Sequence, residues 1–417
     1  MMKHSRVFDC PEMVCLCIIE IRLNIWVDIM TRAKKKPTTV LPIILAATFL
    51  FGYCAPEEIG AADKADITQA QVSDYIDAMP LEDKVAQLFY VAPEAITGVS
   101  TVTAAGNTTK QALEDNPVGG ILYFGANIVS RNQLMSMISN TKSYSKYPIF
   151  IGTDEEGGTV KRIAGSAIEA EDSLVKDVGT MKSVGAAGDA SKARDAGQTI
   201  GCYLHELGFN MDFAPVAGVL TDPGNKTIGT RSFGSDPELD AAMVAQFTDG
   251  LHAEDVLSCE KHFPGLGDTN VDTHTGEATT QRSLDDMRTT DFISFGGGID
   301  AGTDFVMVGH VSCPNVTGNN TPASLSEKMI TEVLRGELGY DGIVITDSLQ
   351  MGAVTRYYSS GEAAIKAIQA GADMLLMPED YHKAYEAVLN AVNNGTISEE
   401  RIDESLERIY RVKLKLK

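Results

Sequence analysis

Eight short apolar runs, rich in β-branched residues and separated by stretches with helical spacing, recur between residues 85 and 377. They are Val85–Val91, Gly120–Phe124, Pro148–Thr153, Phe209–Ala214, Val256–Lys261, Asp304–Gly309, Gly342–Thr346 and Met374–Met377. Alternation of this kind predicts a parallel sheet covered by helices. Eight such units predict an α/β chain folded as a (β/α)8 barrel of the TIM type. An open doubly wound sheet is less well matched, because no Gly-x-Gly-x-x-Gly turn follows the first run. Polar residues give a second reason. Asp154, Asp212, Lys261, His262, His310 and Asp347 each stand at or just beyond the C-terminal end of an expected strand, where barrels assemble their sites. Between the strands, Ala241–Ala253, Glu327–Leu338 and Gly361–Ala370 have amphipathic spacing, and Ser326 is expected to cap the second of these helices.

Residues 63–417 are expected to form this single domain, with residues 1–62 as a leader. Lys34, Lys35 and Lys36 precede an apolar run from Val40 to Gly52, which has the length of a signal-peptide core and is too short to span a bilayer. Export to the periplasm, the cell surface or the medium is the expectation. Cleavage after Gly60-Ala61-Ala62 and lipidation of Cys54, which would tether the protein to a membrane, are the two routes; a short membrane anchor is the alternative. Residues 1–29 lie upstream of an alternative start at Met30 and hold three of the seven cysteines. Beyond Cys54 only Cys202, Cys259 and Cys313 remain, without repeated spacing, so neither a disulfide framework nor a zinc ribbon is expected. The net charge of −22 argues against nucleic acid as a partner. Any anionic ligand must be held by local cations. No cofactor and no metal are expected, and the chain is expected to be a monomer.

The densest chemistry lies in residues 261–274, Lys-His-Phe-Pro-Gly-Leu-Gly-Asp-Thr-Asn-Val-Asp-Thr-His. Pro-Gly-x-Gly cannot sit inside a helix or strand, so polar groups are concentrated on a loop. Successive strand residues face opposite ways, so aiming Lys261 and His262 together requires a break in the strand. Lys261 alone reads as half of a salt bridge or as a Schiff-base lysine. His274, beside Asp272, can exchange a proton near neutrality while the carboxylate orients it; an exposed loop histidine without a role is the alternative. Zinc at His262 and His274 is disfavoured because their separation of twelve residues matches no compact metal motif. Asp347 ends a buried-strand run, Gly342-Ile-Val-Ile-Thr-Asp347. There it can act as a nucleophile or cap the next helix. Asp212 could pair with a cation at the strand ends, although a buried arginine held by an acid accounts nearly as well for Asp212 and Arg231. His310 could line the pocket.

These segments resemble the β-N-acetylhexosaminidases of glycoside hydrolase family 3. The loop fits K-H-F/I-P-G-H/L-G-x4-D-S/T-H at every specified position. Leu338-Gly339-Tyr340-Asp341-Gly342 and Asp347 to Met351 are similar to L-G-[FY]-x-G…[TS]-D-[SA]-L-x-M. Residues 152–163 are similar to D-x-E-G-G-R-V-x-R, with Thr159 where the family usually has its first arginine. Ile228–Gly234 and Met79–Phe89 extend a likeness that covers about residues 68–415. The resemblance implies a retaining exo-glycosidase that removes terminal N-acetylglucosamine (GlcNAc) from a GlcNAc-containing oligosaccharide or muropeptide, as in peptidoglycan fragments. Asp347 would be its nucleophile, and the Asp272/His274 dyad would replace the usual glutamate acid/base. By the same resemblance Lys261 and His262 contact the sugar, Asp154 accepts from its hydroxyls, Arg162 donates to it, and Arg231 fixes the substrate or orders Asp154. Glu156 is expected to tie the Gly157-Gly158 turn. The lone Trp26 lies in the leader, so any stacking on sugar must come from Tyr, Phe or His. The chain ends at Lys417, straight after an expected last helix, so the acid/base should come from this domain's own loop. A phosphorylase or β-glucosidase of the same family, and a non-catalytic exported sugar-binding protein, are the rival readings.

Overall fold

The computed structural model describes residues 68–269 and 278–416. Every one of the eight apolar runs contains a strand: β1 (Phe89–Val91), β2 (Gly120–Leu122), β3 (Phe150–Thr153), β4 (Met211–Asp212), β5 (Cys259–Phe263), β7 (Phe305–Val308), β9 (Ile343–Thr346) and β10 (Leu375–Leu376). Two short strands, β6 (Ala278–Thr279) and β8 (Val311–Ser312), form a separate parallel pair. The main strands make two parallel sheets, ordered β10-β1-β2-β3-β4 and β5-β7-β9. Isolated parallel bridges connect Met211 with Leu257, next to β5, and Ile345 with Met374, next to β10. Nearly all residues in the main strands are buried, as expected of parallel strands covered on both faces.

Aromatic rings from both sheets meet in one interior. Tyr90 packs edge-on against Phe213 at 5.2 Å, and Phe150 of β3 packs edge-on against Phe305 of β7 at 5.1 Å. Gly152 makes room for this stack, because a Cβ there would lie 2.4 Å from the Tyr90 hydroxyl. The last helix, Glu399–Lys413, closes the end nearest the strand N-termini. Its Tyr410 hydroxyl and the side-chain nitrogen of its buried Lys413 both donate to Gln87 Oε1, at 2.6 and 2.7 Å.

Two local expectations are corrected. The first run begins as a helix, Leu81–Ala86, and becomes strand only at Phe89. Leu81, Val85 and Leu88 already had the three- and four-residue spacing of a helix face, which apolar content alone conceals. Ser326 does not cap the helical segment Lys328–Glu337. Its carbonyl, not its hydroxyl, accepts from Met329 and Ile330, and Glu327 occupies the cap position without a side-chain bond. Ser359 does cap, in a reciprocal box with Glu362 at the start of Ser360–Ala370.

Candidate active site

The C-terminal ends of β3, β5, β7 and β9 bring the polar residues together. Three acids in succession, Asp154, Glu155 and Glu156, follow β3. Alternation along an extended chain turns the first and third one way and the middle one the other. Glu155 turns into the protein. Its carboxylate accepts from the backbone N–H groups of Arg162, Ile163 and Ala164 at 2.5, 2.8 and 2.8 Å, and from the Tyr203 hydroxyl at 2.9 Å. That folds the loop back, so that Arg162 Nη2 lies 3.6 Å from Asp154 Oδ2, with its guanidinium over the Phe124 ring. Glu155, not Glu156, therefore ties this loop. Asp212 also differs from expectation. It is buried, accepts the Glu155 N–H at 2.9 Å, and makes no ion pair among the described residues. Burial, with Glu155 and Asp154 close by, pushes its carboxyl well above the usual range.

Glu156 is the centre of a charge chain that sequence reasoning missed. It is 1% exposed and accepts two hydrogen bonds from Arg231, at 2.7 and 2.8 Å, while Lys261 Nζ lies 2.7 Å from its Oε1. Lys261 also donates to Asp154 Oδ1 at 2.8 Å. The order is thus Arg231, Glu156, Lys261, Asp154, Arg162. Among the described residues Arg231 makes no ion pair with Asp154 itself and is joined to it through Glu156 and Lys261. The parity of the three acids was the available signal. Burial works against the ionised carboxylate of Glu156, but the charges and hydrogen bonds of Lys261 and Arg231 outweigh it and hold Glu156 well below the ordinary range. Lys261 is buried too, yet Asp154 and Glu156 hold its ammonium above its ordinary range. A Schiff-base lysine needs a neutral amine, so this environment opposes that reading.

β5 is irregular where Lys261 and His262 stand. Pairing with β7 passes from Lys261↔Met307 directly to Phe263↔Val308, and the Lys261–His262 peptide is cis. This is where a break in the strand was expected. Gly309, after β7, leaves His262 its space, since a Cβ there would come within 3.2 Å of the His262 Cβ. Asp347 follows β9, is 9% exposed, donates its N–H to Val308 O at 2.9 Å, and accepts the Ser348 N–H at 2.7 Å. Burial disfavours its charge, but His262, His310, the Ser348 N–H and Lys261 together hold its carboxyl below the usual range. It is a carboxylate at neutral pH.

His262 is held neutral. Burial, opposed by Asp347 and aided by Arg231 and Lys261, pushes its imidazole down to about 3, and among the described residues its buried Nδ1 has no hydrogen-bond partner. An unfolded histidine titrates near 6.5, so between pH 6.5 and 3 the unfolded chain binds a proton that the native protein refuses. Stability must then fall as pH drops through that window, by at most about 1.4 kcal/mol per pH unit from this group. Urea midpoints at pH 7, 6 and 5 are expected to fall less steeply for His262→Gln than for the unchanged protein. Equal slopes would contradict this environment.

His310 is fully buried and engaged through both ring nitrogens, so it does not simply line a pocket. Asp272 and His274 lie outside the described residues. The flanks of their segment come together, with Thr280 Oγ1 donating to Asp268 Oδ2 at 2.5 Å. Among the described residues, no group of three or more His, Cys, Asp or Glu is arranged to hold a metal.

A model described as the glycosyl hydrolase family 3 N-terminal domain matches residues 80–412. A curated beta-hexosaminidase of Stenotrophomonas maltophilia is 33% identical over 281 residues, covering 66% of this chain and 81% of its own. Beta-hexosaminidase A of Pseudoalteromonas piscicida is 30% identical over 328 residues, which cover 72% of this chain but only 54% of that protein. Among solved structures, a family 3 beta-N-acetylglucosaminidase from Paenibacillus sp. FPU-7 superposes with a TM-score of 0.75 at 36% identity, covering 81% of this chain and 63% of its own. A beta-N-acetylhexosaminidase from Beutenbergia cavernae gives 0.71 at 28% identity, covering 80% of this chain and 98% of its own. The chain thus spans little more than half of its Pseudoalteromonas relative and under two thirds of the Paenibacillus structure. On these matches, made over the segments that assemble the charge chain and Asp347, the protein belongs to glycosyl hydrolase family 3.

Proposed function

We propose that this protein is a retaining exo-β-N-acetylglucosaminidase that removes terminal GlcNAc from a GlcNAc-containing oligosaccharide or muropeptide. The observation that carries the reading is Asp347, a buried carboxylate kept ionised at the end of β9 by the His262 and His310 side chains, the Ser348 N–H and Lys261. Such a group can attack an anomeric carbon and form a glycosyl-enzyme bond. In this scheme His274, oriented by Asp272, gives a proton to the leaving oxygen and then takes one from water. Asp154, the most open acid of the cluster, accepts from sugar hydroxyls, with Lys261 and Arg162 donating beside it. The neutral His262 contributes hydrogen bonds without adding charge, and Arg231 acts through Glu156. The names of the relatives support the choice of hexosamine. The bridges Met211↔Leu257 and Ile345↔Met374 support reading the two sheets as one closed (β/α)8 barrel. The lysines at 34–36 and the apolar run after them support export.

The test is product analysis with 4-nitrophenyl β-GlcNAc, 4-nitrophenyl β-glucoside and a muropeptide panel in phosphate buffer. Free GlcNAc from the first and third is expected. Release of GlcNAc 1-phosphate would make the protein a phosphorylase, and faster glucoside turnover would overturn the hexosamine assignment. His274→Ala is expected to slow unactivated glycosides about 10²- to 10⁴-fold, and to spare the glycosylation step with activated aryl leaving groups, which need little protonation. Equal losses on both would remove the acid role.

A further inference from the structure

The two ring nitrogens of His310 link Ser348, the residue after Asp347, to Ser324. Nε2 lies 2.9 Å from the carbonyl oxygen of Ser348, an atom that can only accept, so Nε2 carries a proton. Nδ1 lies 2.7 Å from the Ser324 hydroxyl. Ser324 is itself pinned, because its N–H donates to Gly309 O at 3.1 Å, and both side chains are fully buried. At the other end, the Ser348 N–H donates to Asp347 Oδ1 at 2.7 Å. One residue, Ser348, is thus gripped by His310 through its carbonyl while it grips the carboxylate through its amide. A general prop for the core would not need two directed bonds converging on the residue after Asp347.

We propose that His310, oriented by Ser324, is a positioning residue that sets the attack geometry of Asp347 through the Ser348 backbone. This rests on Asp347 being the nucleophile. Freeing the Ser348 carbonyl would let the 347–348 backbone and the carboxylate turn, and a small misplacement of a reacting atom costs rate heavily. His310 also helps to hold Asp347 ionised, beside the neutral His262 and the cations Lys261 of β5 and Arg231 of the segment after β4.

The experiment compares the unchanged protein with Ser324→Ala, Ser324→Thr, His310→Gln and Asp347→Ala, using 4-nitrophenyl β-GlcNAc. Ser324→Ala is expected to lower kcat about tenfold and His310→Gln about a hundredfold, with KM changed less than about threefold. Ser324→Thr keeps the hydroxyl and should recover most of the loss. The acid limb of kcat/KM is expected to move to higher pH in His310→Gln. Wild-type kcat and an unmoved limb in both Ser324→Ala and His310→Gln would overturn the proposal. So would equal losses in Ser324→Ala and Ser324→Thr, since packing alone would then be at work. If His310→Gln fails to fold, the Ser324 pair decides. Activity surviving in Asp347→Ala would instead bring down the nucleophile reading beneath it.

Discussion

Replacing Asp347 by Ala is expected to lower kcat/KM on the order of 10⁵-fold for every glycoside tested, with the fold intact. The loss should be uniform because a nucleophile is needed whatever the leaving group. Only one carboxylate at the end of β9 is removed, and the backbone bond from Asp347 N to Val308 O remains. Azide, small enough to enter the space vacated, is expected to restore turnover of 4-nitrophenyl β-GlcNAc. It would attack from the face that Asp347 serves, so the product should be a glycosyl azide of inverted configuration. Circular dichroism controls for folding, and NMR of the azide product reads the configuration. Residual hydrolysis above about one percent, without azide, would mean that the carboxylate supports the site and does no chemistry.

Glu156→Ala is the second large effect, and it falls on stability as well as rate. Removing one partner of a buried ion pair strands the other, at a cost of about 3–5 kcal/mol. Here two cations, Lys261 and Arg231, lose their common carboxylate. The urea midpoint should drop accordingly, and kcat/KM should fall because Lys261 then rests on Asp154 alone. Glu156→Gln keeps the shape and should lose less in packing but nearly as much in charge pairing. The pH dependence has a definite sign. The native pKa of Glu156 lies below the unfolded value near 4.5, so its contribution is fully present above that value. It is lost progressively as pH falls below about 4.5 towards the native pKa. The difference in stability between the unchanged protein and Glu156→Gln should therefore shrink as the pH is taken from 6 to 3. A difference that stays constant would contradict the pairing.

Most of the fold was legible because each strand of a covered parallel sheet is apolar on both faces, which makes it stand out as a short run. The start of the first run was not legible for the same reason. A buried helix turn such as Leu81–Ala86 is as apolar as a strand, and only its spacing gives it away. Residues at the strand ends were legible as a group, because charge at the end of an apolar run is conspicuous. Their pairing was harder to read. Glu156 meets Arg231 and Lys261 across 75 and 105 positions of chain, and local spacing carries no information about such contacts. Parity along Asp154-Glu155-Glu156 would have separated the inward acid from the two that face the site. His310 was visible as a polar residue at a strand end, but its partners, Ser324 and the Ser348 carbonyl, belong to other segments and left no mark near it.

In the proposed mechanism Asp347 forms a covalent bond to the sugar. A 5-fluoro analogue of GlcNAc bearing a fluoride leaving group forms such an intermediate faster than it breaks it down, so the adduct can be caught, digested and weighed. A mass increase of one fluorinated GlcNAc is expected on the peptide spanning residues 342–351, placed on Asp347 by fragmentation. Label on any other residue, or inactivation without label in a protein that turns over GlcNAc glycosides, would contradict it.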